Sequence, residues 1–236
     1  MMNLLRKGLV AVVLLGLGAS VGMAQTTVAG SVYGAFRSST RAGSSSIFTV
    51  ENPANAAGFL LELRHISNPL MGYEVSYSYH RANEVYSHTF NVLCPAGPGG
   101  TCPEQITTAA VPANAQEVTG DWVFSFRLAN LKPFALVGGG VLVTSPTTGN
   151  VTATITDFYP LTGLSSRTTS SIPTRTETKG VFQYGAGLDW TLLPHIGLRF
   201  QYRGNVYKAA DLSSAFTSTD KFTQDAEPMA GVFIRF

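Results

Sequence analysis

Cys94 and Cys102 are the two cysteines of the chain, and they bracket the segment Pro-Ala-Gly-Pro-Gly-Gly-Thr. An even number at so short a separation reads, in an exported protein, as a disulfide that staples a loop tip. The alternative is a metal centre, but Zn²⁺ asks for four ligands and His88 is the one imidazole near in sequence. His80 and His88 have no serine and carboxylate grouped beside them and are expected to be structural. No catalytic, metal or cofactor site is expected from these residues.

The chain opens with Arg6 and Lys7, runs through apolar residues 8–21, and reaches Gly22-Met23-Ala24 before Gln25. A charged start, an apolar stretch and small residues at a cleavage point predict a signal peptide over residues 1–24, leaving 25–236 as the mature domain. The stretch is shorter than the roughly 20 residues of a membrane-spanning helix, so an uncleaved anchor is the weaker alternative. Gln25 in place of a cysteine argues against a lipoprotein. The sequence holds 16 basic and 14 acidic residues, and removing Arg6 and Lys7 leaves 14 against 14. No basic surface for nucleic acid is implied.

The elements that must position any site read as strands. In 73–80 the aromatic and apolar residues Tyr73, Val75, Tyr77 and Tyr79 alternate with Glu74, Ser76, Ser78 and His80. Period two of this kind puts one face against an apolar medium and the other against a polar one. The same rhythm sets Phe59, Leu61 and Leu63 against Glu62 and Arg64, and Trp122, Phe124 and Phe126 against Ser125 and Arg127. It also sets Phe182, Tyr184, Leu188 and Trp190 against Gln183 and Asp189, Leu198, Phe200 and Tyr202 against Arg199, Gln201 and Arg203, and Val232, Ile234 and Phe236 against Arg235. With less polarised strands near 28–36 and 134–144, eight strands are predicted.

Their connections alternate in length. Residues 37–55, 81–115, 145–179 and 208–223 are long, whereas 67–71, 129–133 and 192–196 are short. Short periplasmic turns and long extracellular loops are the habit of bacterial outer-membrane barrels, and the pattern places both ends of the domain in the periplasm. A soluble barrel of lipocalin type has the same period with its polar face outward. Large aromatics at strand ends, among them Tyr73, Trp122, Trp190 and Phe134, favour membrane girdles. The fold class expected is therefore all-β, an eight-stranded antiparallel transmembrane up-and-down barrel in the bacterial outer membrane. Segments 84–92 and 174–179 still alternate, with polar residues on both faces, and predict strands that continue above the membrane as solvated hairpins.

If the aromatic rows meet lipid, the opposite rows turn Glu62, Glu74, Asp121, Asp189 and Glu227 inward with Arg64, Arg127, Arg199, Arg203 and Arg235. Equal numbers of each sign predict a neutral, ion-paired lumen, because buried ions are tolerated when paired and hydrogen-bonded. Eight strands enclose a space that side chains just fill, so a plugged interior is expected over an open pore.

Two resemblances extend this reading. Gly231, Ile234 and Phe236 resemble the C-terminal signal recognised by the outer-membrane barrel-assembly machinery, with Met229 where a polar residue is usual. With the segments 184–190 and 193–203, the mature chain resembles the OmpA/OmpX-type small barrels. That resemblance implies outer-membrane lipid and the assembly machinery as partners and a monomeric barrel; with no domain after the last strand, the peptidoglycan-binding module of larger family members is expected to be absent. Separately, His65-Ile66-Ser67-Asn68 resembles the His-x-Ser-Asn motif of outer-membrane lipid A deacylases, which would cast His65 and Ser67 as base and nucleophile. The tetrapeptide lies at a periplasmic turn, away from outer-leaflet lipid A, and no glutamate follows at the family's spacing. The function expected is a structural and surface-interaction barrel whose loops bind an extracellular ligand. A small pore and a lipid A-modifying enzyme are the alternatives.

Overall fold

A computed structural model describes residues 25–44, 47–68, 70–91, 104–159, 164–213, 215–216 and 219–236. Among these residues twelve strands follow one another: β1 (Gln25–Arg37), β2 (Thr40–Gly43), β3 (Ile47–Pro53), β4 (Ala56–Ile66), β5 (Met71–Asn91), β6 (Glu104–Ser125), β7 (Leu131–Pro146), β8 (Asn150–Tyr159), β9 (Leu164–Pro173), β10 (Glu177–Leu193), β11 (Ile196–Lys208) and β12 (Phe222–Arg235). Eight of them, β1, β4, β5, β6, β7, β10, β11 and β12, pair antiparallel in that order. Pairing of β12 with β1, with Gly231 opposite Ser31 and Val232 opposite Gly30, closes the ring and leaves no edge. This is the eight-stranded up-and-down barrel that the alternation predicts.

The short turns are built locally. Asn68 accepts the N–H groups of Leu70 and Met71 at 3.1 and 2.8 Å, the side-chain turn for which asparagine is suited. Between Leu128 and Leu131 the chain reverses in two residues, with Ala129 at φ 53°. At the other end the strands outrun the barrel. β5 and β6 have 21 and 22 residues, whereas a tilted strand crosses a bilayer in about 9–11. They stay paired from Met71 opposite Phe124 up to Asn91 opposite Glu104.

Of the continuations predicted above the barrel, 84–91 is strand within β5, whereas 174–176 lies between β9 and β10 and only 177–179 is strand; β2, β3, β8 and β9 are further strands that the alternation did not indicate. β3 takes over from β4 along the upper part of β5, with Pro53 opposite Glu84 and Ile47 opposite Phe90. β8 takes over from β7 along β6, from Ala109 opposite Ala153 to Glu104 opposite Phe158. Above the barrel the result is a six-stranded wall, β2-β3-β5-β6-β8-β9, whose edges are β2 and β9.

Candidate functional site

The outside of the ring is apolar all round. Val32, Phe59, Leu61, Trp122, Phe124, Phe182, Phe200 and Val232 are all exposed, Val32 by 68 % and Trp122 by 61 %. Inside, Arg199 and Arg203 are 0 % exposed. Water would invert that distribution, so lipid is the solvent that this wall fits, and closure into a ring satisfies the backbone within it. The chain is a transmembrane β-barrel of the bacterial outer-membrane type.

One exception corrects the sequence reading. Phe134 was expected in an interfacial girdle, yet it is buried inside the barrel. Its ring lies 3.9 Å beneath the guanidinium carbon of Arg64 and 5.4 Å from that of Arg199. Gly187 supplies the room: a β-carbon there would sit 2.5 Å from the Phe134 ring.

The lumen is filled by ion-paired layers. Nearest the short turns, Arg64 Nε donates to Glu74 at 2.6 Å and its Nη1 to Asp189 at 3.4 Å. Arg199 Nε and Nη2 donate to the two oxygens of Asp189 at 2.7 and 2.9 Å, and its Nη1 stands 3.3 Å from Glu62. One layer up, Arg203 donates to Glu227 at 2.7 Å, and Asn205 donates to Glu117 at 3.1 Å. Asp121 accepts from Thr119 and Gln183, each at 3.1 Å. At the top of the barrel Arg37 pairs with Glu84 and Asp225, and Tyr207 donates to Asp225 at 2.7 Å. Buried pairs of this kind hold because each charge has several partners in fixed geometry, and removing one member strands the others.

Eight of the ten charges proposed for the lumen thus lie buried in it. Arg127 does not: β6 ends at Ser125, and Arg127 is exposed at the short-turn rim. Arg235 is half-buried at the same rim, where its Nη2 donates to the Pro194 carbonyl. In both strands the polar phase continues past the depth at which the barrel encloses it. Arg37, Glu84, Glu117, Tyr207 and Asp225 were missed. Glu117 shares the phase of Thr119 and Asp121, so longer alternation would have found it; Arg37 and Glu84 fell in segments read as loops.

After β11, residues 209–213 and 216 turn inward at the open end. Ala210, Leu212 and Phe216 pack with Tyr86, Ala109, Val111, Ala113, Ala153 and Ile172 in one apolar cluster. Tyr86 donates to the Ala210 carbonyl at 2.6 Å and accepts from the Leu212 N–H at 3.1 Å, while its ring stacks on Phe216 at 5.3 Å. Arg175 pairs with Asp211, and Ser213 donates to the Pro173 carbonyl at 2.9 Å. Glu51 on β3 accepts from the N–H and hydroxyl of Thr219 at 3.2 and 3.0 Å and from Thr40 at 3.3 Å. Burial raises the Glu51 carboxyl above the usual range against these hydrogen bonds, which act to lower it. Burial likewise raises Asp211, opposed by Arg175.

No hydrolytic triad forms at 65–68. His65 is half-buried on the outer face, bonded to Thr26 at 3.0 Å and tilted against the Tyr73 ring at 5.1 Å, whereas Glu74 lies inside the wall on Arg64. His80 is buried against the Tyr33 hydroxyl at 3.0 Å, and His88 meets Thr49 at 2.9 Å. Gly231 pairs with Ser31 and Arg199 in the wall, and Ile234 and Phe236 project outward, exposed. Cys94 and Cys102 lie outside the described residues, as does the signal segment 1–24.

No family profile and no curated sequence matches the chain. Among solved structures it is similar to Ail, the attachment invasion locus protein of Yersinia pestis, in complex with the heparin analogue sucrose octasulfate, at 16% identity and a TM-score of 0.46 over 90% of this chain and 99% of that one. It is similar also to the outer-membrane protein OprG of Pseudomonas aeruginosa, at 10% identity and a TM-score of 0.46 over 90% of this chain and 95% of that one. Neisserial surface protein A is matched at 12% identity and a TM-score of 0.39 over 92% and 100%.

Proposed function

We propose that this chain is a sealed, monomeric outer-membrane barrel whose business lies at its surface, where the six-stranded wall binds an extracellular partner. The carrying observation is β9. It is an edge strand of ten residues, nearly all of them exposed, and among the described residues no further strand pairs along the outer side of 165–172. Such an edge accepts an added strand by backbone hydrogen bonding, and a rigid scaffold is where binding loops are usually mounted. The sequence Leu-Ser-Ser-Arg-Thr-Thr-Ser-Ser-Ile-Pro carries a single charge to oppose such pairing.

In this proposal the long-loop end faces outward and the short turns face the periplasm. Residues 1–24 direct export, Gly231, Ile234 and Phe236 present the strand to the assembly machinery, and Cys94 joins Cys102 at the tip of the β5–β6 hairpin. The filled lumen supports a structural barrel over a pore, and the separation of His65 from Glu74 speaks against lipid A hydrolysis at that motif.

The test displays the full chain on cells and compares it with a form in which 150–173 is replaced by a short turn. Attachment to a panel of matrix proteins should be lost with the hairpin. Equal attachment by both forms, or none by either, overturns the proposal. Steady single-channel conductance in planar bilayers would instead assign a pore, and release of acyl chains from lipid A an enzyme.

A further inference from the structure

The lipid face of the ring is indented where β12, β1, β4 and β5 adjoin. Val32 lies opposite Ala230 on one side and Phe59 on the other, and Phe59 lies opposite Tyr79. Side chains on one face recur at every second residue, so the next row up is Pro228, Gly34, Ala57 and Arg81, with Gly34 opposite Ala57. That row has little side-chain bulk before Arg81, which leaves a groove of about 900 Å³ along the outside of the wall. Tyr33 and Met229 reach its lining from an apolar cluster that they form with Ala35 and Leu60 inside the ring. Arg81 is the one charged residue on the lining. The Tyr33 and Tyr79 hydroxyls are already taken, by His80 and Asn114, each at 3.0 Å.

Arg81 supplies the chemistry. It is exposed on the outward face of β5 and has no ion-pair partner among the described residues. By contrast, Lys179 on β10 and Lys208 on β11 are paired, with Glu177 at 2.7 Å and Asp220 at 2.6 Å. Tyr73 stands on the same face of β5 by the short turns, and a tilted strand crosses a bilayer in about 9–11 residues, so Arg81 reaches the opposite headgroup level. A guanidinium there is held at the border of hydrocarbon, where a charge is costly without a counter-charge. Phosphate is an anion that its fork of N–H groups fits, and lipid headgroups carry it at that depth. The apolar groove beside it matches the other half of the same molecule, an acyl chain.

We propose that this groove holds one phosphate-bearing lipid of the outer leaflet, its acyl chain lying along Gly34 and Ala57 against Val32 and Phe59, its phosphate bonded to Arg81. The choice of leaflet rests on the orientation proposed above. The site itself does not, and neither does its test: micelles have no leaflets and present no extracellular partner, so a failure here leaves that reading standing.

The mature chain, folded in neutral detergent micelles, is mixed with phosphatidic acid or with phosphatidylcholine of the same acyl chains and measured by native mass spectrometry. One phosphatidic acid per chain should be retained at concentrations where phosphatidylcholine is not. Arg81→Gln should weaken retention roughly tenfold, the loss of a charge-assisted contact. Ala57→Phe fills the groove and keeps the cation, and it should weaken retention as well. Both residues point outward, away from the ion-paired lumen, so each variant should keep the parent's heat-dependent mobility on gels. Lys208→Gln removes a cation outside the groove and should leave retention unchanged. The proposal is overturned if phosphatidic acid is held no better than phosphatidylcholine, if Arg81→Gln or Ala57→Phe binds like the parent, or if Lys208→Gln weakens binding as much as they do. A two-chain mass that Ala57→Phe abolishes would give the groove to a second copy of the chain and overturn it equally.

Discussion

The lower barrel and the wall above it use the same strands with opposite chemistry. Along β6, Glu117, Thr119 and Asp121 face inward low in the barrel while Val118, Trp122 and Phe124 face out. A few residues higher, Ala109, Val111 and Ala113 face inward and Thr108 faces out. The phase of the strand never changes, but its polarity reverses. In the belt, lipid already solvates apolar side chains, so burying them gains little and the interior is free to hold hydrogen-bonded ions. Above it water is outside, burial of apolar surface is favourable again, and Ala210, Leu212 and Phe216 fold inward to complete a small conventional core. Two solvents along one strand therefore yield two kinds of interior, and stability should respond differently in each.

The largest effect is expected from Arg199→Met, which keeps bulk but leaves Glu62, Glu74 and Asp189 without their shared cation. A loss of about 3–5 kcal/mol, read by urea unfolding in lipid vesicles, is the outcome for a broken buried network. A loss under about 1 kcal/mol would mean the layer is not an energetic unit. Next, Leu61→Arg on the lipid face should cost about 2–4 kcal/mol if it sits near the midplane. Thr108→Arg, pointing outward above the belt, should change stability by about 0.5 kcal/mol or less. Similar costs for the two would erase the boundary between the regions.

Tyr86→Phe isolates the upper core. It removes the donor to Ala210 and the acceptor for Leu212, a local loss of about 1–3 kcal/mol. Hydrogen exchange should quicken in 209–216 while the barrel's unfolding midpoint stays put; a lowered midpoint would join the two regions into one cooperative unit. The smallest effect is on pH. Because burial raises the Glu51 carboxyl in the folded state, its net contribution to stability is fully present below the ordinary carboxylate range, about pH 4.3, the burial cost of ionisation outweighing the Thr219 hydrogen bonds that favour the carboxylate. That contribution is lost as pH rises through the elevated folded value, since the folded state binds the proton more tightly. Protease cleavage within 209–221 should increase with pH across that window, and Glu51→Gln should flatten the response. Cleavage that falls with rising pH would reverse the assignment.

Much of this was legible in the residues. Tyr73 to His80 declares both faces of a strand, because period-two alternation is a local consequence of the pleat and needs no knowledge of the neighbours. Alternating connection lengths likewise predict the up-and-down order, and Glu62, Arg64, Glu74, Asp189, Arg199 and Arg203 were assigned to the lumen by phase alone. Phase, however, is silent on depth. Arg127 and Arg235 have the inward phase yet sit at the rim, because where a strand leaves the enclosed part of the ring depends on its partners' register. Phe134 was misplaced for a related reason: in β7 both phases are apolar, Phe134 and Leu136 on one and Ala135 and Val137 on the other, and only the approach of Gly187 and Arg64 selects the inside for the ring. The inward course of 209–213 and 216 is likewise invisible in the composition of that segment. Its apolar residues are few, and what draws them in is a surface assembled from β5, β6, β8 and β9, strands far away in sequence. Local alternation determined which side each residue faces; long-range pairing decided how deep it lies and what it meets there.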